Sequence, residues 1–267
     1  MTQDELPQLH YRTNGKPGNP PVLFLHGFMG NANDWNEVIQ FSSQQYYCLT
    51  ADLPGHGKSN LDAHIKYSFP NTGFAVIKLL KQLDIKKCFL VGYSMGGRLA
   101  LFLTLRYPQF FLKTVLESAS PGLRTPQEQE ARKTQDAGIA KELEEGDFET
   151  FLKKWYSQQI FQEITESRNF DKLIADRLMN DPKMLAQALR FLGTGAQPSL
   201  WEELRKNKIP VLLLVGEHDI KFQTIAHEMT MSNRFFQTKT MVECSHNIHF
   251  QKPEQFAEYI KKFFAKN

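Results

Sequence analysis

Short apolar runs, bounded by glycine, proline and charged residues, alternate along the chain with stretches of helical period. Residues 20–25, 46–51, 88–91, 113–117 and 209–215 are such runs, each of strand length. Most are apolar at successive positions rather than at every second one. That predicts strands covered on both faces, as in a parallel sheet. Residues 33–41, 69–83 and 94–105 carry helical spacing between them, with Asn33 as N-cap of the first. After residue 122 the rhythm changes, and no strand pattern appears until about residue 200. Charge-rich helical stretches fill the gap at 127–145, 148–158, 168–179 and 183–191. Alternation then resumes with a helix at 224–231, a strand at 238–242 and a helix at 253–264. The expected architecture is α/β: a mostly parallel central sheet with helices on both faces. Residues 1–121 and 201–267 would form this core, and 122–200 an inserted all-helical cap over its active edge.

Composition narrows the function classes. At 41% hydrophobic and 23% charged, the chain has the balance of a soluble globular protein. A net charge of +3 with dispersed basic residues leaves no stripe for nucleic acid. Lys261, Lys262 and Lys266 read as a solvated helix face. The apolar run 211–215 is far shorter than the roughly 18 residues of a membrane span. The N-terminal residues lack the basic-then-apolar order of a signal peptide. Cys48, Cys88 and Cys244 match neither a disulfide framework nor a zinc knuckle. A cytoplasmic protein is expected, with no nucleic-acid partner and no membrane span.

Candidate chemistry centres on Gly92-Tyr93-Ser94-Met95-Gly96. An apolar strand runs into it and an apolar helix runs out, so Ser94 sits on a sharp turn with its hydroxyl projected into a cleft. The glycines remove side chains that would strike the neighbouring strand and helix. His26-Gly27-Phe28-Met29-Gly30 follows the 20–25 strand. The backbone N–H groups of Phe28 and Met95 form a candidate two-donor oxyanion hole above Ser94. Gly57-Lys58-Ser59 suggests a phosphate loop, but the glycine required five residues earlier is Asp52, so the segment reads as a Pro/Gly turn with a structural His56. Asp219 follows the 209–215 strand and His246 follows the 238–242 strand. His246 as base and Asp219 as its orienting carboxylate would complete a triad with Ser94. His249 and Glu117 are rivals for those two roles.

The order Ser, Asp, His resembles that of the α/β-hydrolase superfamily. Pro253, opening the last helix seven residues after His246, resembles the arrangement in α/β-hydrolases, and that resemblance favours His246. Five segments narrow the resemblance: Gly-Tyr-Ser-Met-Gly-Gly-Arg at 92–98, Glu-Ser-Ala-Ser-Pro-Gly-Leu at 117–123, Trp-Tyr-Ser-Gln-Gln-Ile-Phe at 155–161, Gly-Thr-Gly-Ala-Gln-Pro-Ser-Leu-Trp at 193–201 and Ser-His-Asn-Ile-His at 245–249. Together they are similar to the 2-succinyl-6-hydroxy-2,4-cyclohexadiene-1-carboxylate synthases of menaquinone and phylloquinone biosynthesis. The resemblance implies a carbon–oxygen lyase that takes a ring proton from 2-succinyl-5-enolpyruvyl-6-hydroxy-3-cyclohexene-1-carboxylate and expels pyruvate. It implies Ser94 as base rather than nucleophile, and neither metal nor cofactor. It also implies a tricarboxylate substrate met by Arg98, Arg132 and Arg177, with aromatic contacts from Tyr93 and Trp155. Arg98 lies one helical turn past Ser94, and arginine suits carboxylates through its planar fork. No chemical role attaches to Gln197 or Ser199. The triad alone supports a serine hydrolase equally well, either a carboxylesterase or a carbon–carbon bond hydrolase. A non-catalytic ligand-binding protein would have no need of all three groups.

Overall fold

A computed structural model describes residues 7–62, 65, 67–167 and 169–266. Arg168, where the spacing starts an insert helix, and the N-terminal residues 1–6 lie outside the described residues. Seven strands form one sheet: β1 (Tyr11–Asn14), β2 (Pro21–Leu25), β3 (Tyr47–Ala51), β4 (Cys88–Tyr93), β5 (Phe111–Glu117), β6 (Val211–Gly216) and β7 (Phe236–Met241). Their spatial order is β1-β3-β2-β4-β5-β6-β7. Every neighbouring pair is parallel except β1 with β3. Strand β1, Tyr-Arg-Thr-Asn, has no apolar run to betray it. Its ladder to β3, Tyr11 opposite Ala51, is made by backbone groups, which sequence pattern does not report.

Helices α1 (Asn36–Ser42), α2 (Phe69–Gln82) and α3 (Ser94–Arg106) follow β2, β3 and β4. Between β5 and β6 come α4 (Pro126–Glu145), α5 (Phe148–Tyr156), α6 (Gln162–Thr165), α7 (Phe170–Leu178) and α8 (Pro182–Leu192), with no described strand among them. The chain ends with α9 (Ile220–Ser232), α10 (Ile248–Gln251) and α11 (Pro253–Ala265). Asn33 is not an N-cap: Asn31 takes that role, its side chain accepting from the Asn33 N–H at the head of a short 3-10 turn.

Successive residues of β2 point to opposite sides of the sheet, as strand geometry requires. Leu23 and Leu25 join α2, α3 and α9 in one apolar cluster, while Val22 and Phe24 join α1 and α11 in another. Each such buried side chain stabilises by roughly 1.5–3 kcal/mol relative to exposure. Strands apolar at both parities are therefore sandwiched, and only the carboxyl-end loops are left for chemistry.

The insert helices start at local signals. Thr125 and Glu128 form a reciprocal capping box at α4, Asp147 caps α5, and Asp181 caps α8 ahead of Pro182. Their apolar faces make a third cluster that includes Leu143, Leu152, Ile164 and Leu185 and also takes in Met29 from the loop after β2. The two ends of the insert are laced together, Leu200 N–H to the Pro121 carbonyl at 2.8 Å and Trp201 Nε1–H to the Gly122 carbonyl at 2.9 Å.

Candidate active site

The turn from β4 to α3 places Ser94 at φ +48°, a left-handed conformation that non-glycine residues rarely hold. Such strain costs about 1–3 kcal/mol and persists where the surroundings enforce it. Here they do. A Cβ on Gly96 would lie 2.3 Å from the Leu25 carbonyl oxygen, and one on Gly92 would lie 2.5 Å from the Gly96 carbonyl oxygen.

His246 Nε2 stands 3.1 Å from Ser94 Oγ, and its Nδ1 stands 2.7 Å from Asp219 Oδ2. The network assigns the tautomer: Nδ1–H donates to the carboxylate, leaving Nε2 to accept from the serine hydroxyl. Asp219 comes from the turn between β6 and α9, and His246 from the loop between β7 and α10. Both are buried. Rings of Phe222, Tyr93 and Phe161 surround the imidazole at centroid distances of 4.7, 5.5 and 6.0 Å, which restrict its rotation and exclude water.

The rivals pair with each other instead. His249 Nδ1 lies 2.7 Å from Glu117 Oε2, and the His249 N–H donates to Glu117 Oε1 at 3.0 Å. Trp35 stacks on the His249 ring at 4.3 Å. His56 is likewise bound into its turn, at 3.1 Å from the Pro54 carbonyl. Burial, with His26 beside it, lowers His56 to about 3.

The N–H groups of Phe28, in the loop after β2, and Met95, in the elbow itself, have no internal acceptor among the described residues. Met95 is the second residue of α3, so its N–H has no acceptor within the helix. The Phe28 ring packs edge-on to Trp155 at 5.6 Å, so the half-buried Trp155 of α5 reaches the same loop. Tyr93 is buried with its ring against Gly27, where any Cβ would come within 2.5 Å of it.

The three arginines differ. Arg98 is 9% exposed, and its guanidinium donates to the neutral amide oxygen of Gln197 at 3.3 Å. No described carboxylate forms an ion pair with it. Burial, reinforced by the neighbouring charge of Arg132, lowers its pKa to about 10. Arg132 is part-exposed, and its Nε donates to Asp136 at 2.7 Å. Arg177 is paired within the protein. Both its terminal nitrogens bind Asp34 at 2.8 Å, and its Nε donates to the Tyr156 hydroxyl at 3.1 Å. Burial opposes the charges of this pair, yet each partner holds the other ionised, raising Arg177 and lowering Asp34. Its fork is satisfied within the protein.

Sequence reasoning missed Asp34 and Asp136, and it marked Gln197 without finding its role. Asp34 and Asp136 are ordinary helix-start and helix-face acids by pattern. Gln197 stands in the glycine-rich 193–201 segment, whose unusual composition was the signal available.

Comparison with known proteins gives the family. The family profile of the alpha/beta hydrolase fold matches residues 20–253. A 2-succinyl-6-hydroxy-2,4-cyclohexadiene-1-carboxylate synthase of Enterobacter sp. (strain 638) is 34% identical over 244 residues, 91% of each chain. The chain belongs to the alpha/beta hydrolase fold and, within it, to this synthase family. A solved structure, MenH from S. aureus, superposes with a TM-score of 0.90 at 31% identity, over 96% of this chain and 97% of that one. The chloroplastic protein PHYLLO of Arabidopsis thaliana is 32% identical over 261 residues, 92% of this chain but only 15% of PHYLLO. A hydrolase from Pseudomonas aeruginosa, 20% identical at a TM-score of 0.83 and covering 97% and 94% of the two chains, shares the fold.

Proposed function

We propose that the protein is a lyase that removes a ring proton from 2-succinyl-5-enolpyruvyl-6-hydroxy-3-cyclohexene-1-carboxylate and eliminates pyruvate, in the pathway to menaquinone or phylloquinone. One observation carries the reading: Ser94, hydrogen-bonded to His246 and through it to Asp219, shares helix α3 with a buried guanidinium, Arg98, that forms no ion pair with any described carboxylate. A general esterase needs the first and not the second. An uncompensated buried charge is expensive unless an anionic ligand completes it.

The steps follow from acid–base chemistry. The abstracted proton lies α to the succinyl ketone. As Ser94 Oγ takes it, His246 Nε2 accepts the serine's own proton, and Asp219 stabilises the resulting imidazolium. The electron pair left on carbon moves onto the ketone oxygen, and the Phe28 and Met95 N–H groups stabilise that enolate. When the carbonyl re-forms, the pair shifts through the ring and breaks the carbon–oxygen bond to the enolpyruvyl group. That group leaves as the enolate of pyruvate and takes up a proton at carbon, while the His246 imidazolium gives up the one it gained, so the cycle closes with no net change in protons.

Residues 122–200 act as a cap over the sheet's carboxyl edge, supported by the apolar cluster they share with Met29. From it Arg132 meets a substrate carboxylate, and Trp155, with Tyr93 from the core, supplies apolar contact. Arg177 acts through the fold, by tying α7 to the loop after β2. No helix among the described residues is long and apolar enough to cross a membrane. Three buried free cysteines fit a reducing compartment, and we place the enzyme in the cytoplasm.

Incubation with the enolpyruvyl substrate, coupled to lactate dehydrogenase, tests the reading. Pyruvate release is expected. Rapid turnover of p-nitrophenyl esters with no pyruvate would instead establish a serine hydrolase.

A further inference from the structure

The segment from Gly193 to Trp201 meets Arg98 directly and Arg132 through Asp136. Gln197 Oε1 accepts from Arg98 at 3.3 Å while its Nε2 donates to the Ser120 carbonyl at 3.0 Å. The same amide packs on Gly122, where a Cβ would lie 3.2 Å from its carbon. Two residues earlier, the Gly195 N–H donates to Asp136 Oδ2 at 3.0 Å, and the other Asp136 oxygen holds Arg132 Nε. Glycine is required at 193 and 195 because a Cβ there would come within 2.5 Å of Asp136 Oδ2 and of the Lys133 N, respectively. One short segment thus fixes a guanidinium of the core and one of the insert. It leaves the first with a neutral acceptor and the second held by Nε alone.

We propose that Gln197, with Gly195 acting through Asp136, forms a clasp that aims Arg98 and Arg132 together at a substrate segment bearing carboxylates. Gln197 is a positioning residue, and its neutrality is the functional point. An amide orients Arg98 without cancelling its charge, whereas a carboxylate in its place would satisfy the guanidinium and remove it from binding. Burial is the main cause of the lowered Arg98 pKa, and the like charge of Arg132 adds to it while Asp136 opposes it. An anionic ligand between the two arginines relieves their repulsion. The inference rests on the lyase reading for its choice of substrate, but it can be tested without turnover.

The test compares wild type with Gln197→Glu, which keeps the shape and supplies a charge, and Gln197→Met, which keeps the volume and supplies no acceptor. Calorimetric titration uses citrate, a tricarboxylate, as probe. Gln197→Glu is expected to bind citrate at least 10-fold more weakly than wild type, and Gln197→Met several-fold more weakly. In the pyruvate assay both raise KM by similar factors; Gln197→Glu also lowers kcat, as loss of Arg98 does, while Gln197→Met keeps kcat within about threefold, a split that loss of general stability does not produce. Should Gln197→Glu fail to fold, Gln197→Met alone is read by the same two measurements. Citrate affinities that match across the proteins, including no binding by any of them, overturn the clasp whether or not pyruvate is released. Absence of pyruvate from wild type with the citrate difference intact overturns the lyase reading and leaves the clasp standing.

Discussion

Glu117 and His249 form a closed pair: the carboxylate accepts both the ring Nδ1–H, at 2.7 Å, and the backbone N–H of the same histidine, at 3.0 Å. The pair lies on the same sheet edge as Asp219 and His246, whose carboxylate binds only the ring side of its histidine and whose Nε2 reaches Ser94. Two buried carboxylate–imidazole pairs thus stand close together, and the hydrogen bonding separates a structural one from a chemical one.

Glu117→Ala should therefore act on stability. Removing one member of a buried, hydrogen-bonded pair costs about 3–5 kcal/mol. A denaturant midpoint shifted accordingly, with residual kcat close to wild type in the folded fraction, is expected. A 100-fold loss of kcat at unchanged midpoint would move the catalytic role to this pair.

His246→Ala and Ser94→Ala should do the reverse. Losing a general base lowers rate by roughly 10²–10⁴-fold. Each variant is expected to lose more than 100-fold in pyruvate release while unfolding near the wild-type midpoint. Activity retained by either one rejects the base assignment.

Arg98→Ala should raise KM and lower kcat, because the charged contact serves both binding and placement of the ring proton. Lysine at 98 should rescue little, since a single ammonium cannot reproduce a planar fork. Steady-state kinetics of the two variants decide this, and an unchanged kcat/KM in Arg98→Ala takes the residue out of the site.

The Asp34–Arg177 pair predicts a pH signature. Burial opposes the Asp34 charge, yet Arg177 holds its carboxyl below the ordinary 3.8. A carboxyl depressed in the folded state adds stability that is full above its unfolded pKa and disappears as pH falls through the folded value. Wild type should exceed Asp34→Asn in unfolding free energy at neutral pH, and the gap should close as pH falls from about 5 towards 2. A gap that stays constant over that window would show that the ion pair contributes nothing to stability.

Much of the fold was legible because its signals are local. The β2, β4 and β6 runs declare buried strands by composition alone, and Gly92, Ser94 and Gly96 declare the elbow between β4 and α3. Strand β1 escaped because it is polar and exposed, and its place comes from backbone pairing with β3. Asn33 misled because Asn31, two residues earlier, offers the same capping chemistry.

The sequence by itself determined the strand–helix alternation, the helical insert and the order of serine, carboxylate and histidine, since each follows from neighbours a few positions apart. Tertiary structure alone decided which histidine meets Ser94, that Arg177 pairs with Asp34, and that Arg98 meets Gln197. Those outcomes join residues 152, 143 and 99 positions apart. A charge is free or satisfied only by what lies within hydrogen-bond reach, and at such separations only the folded chain determines which groups meet.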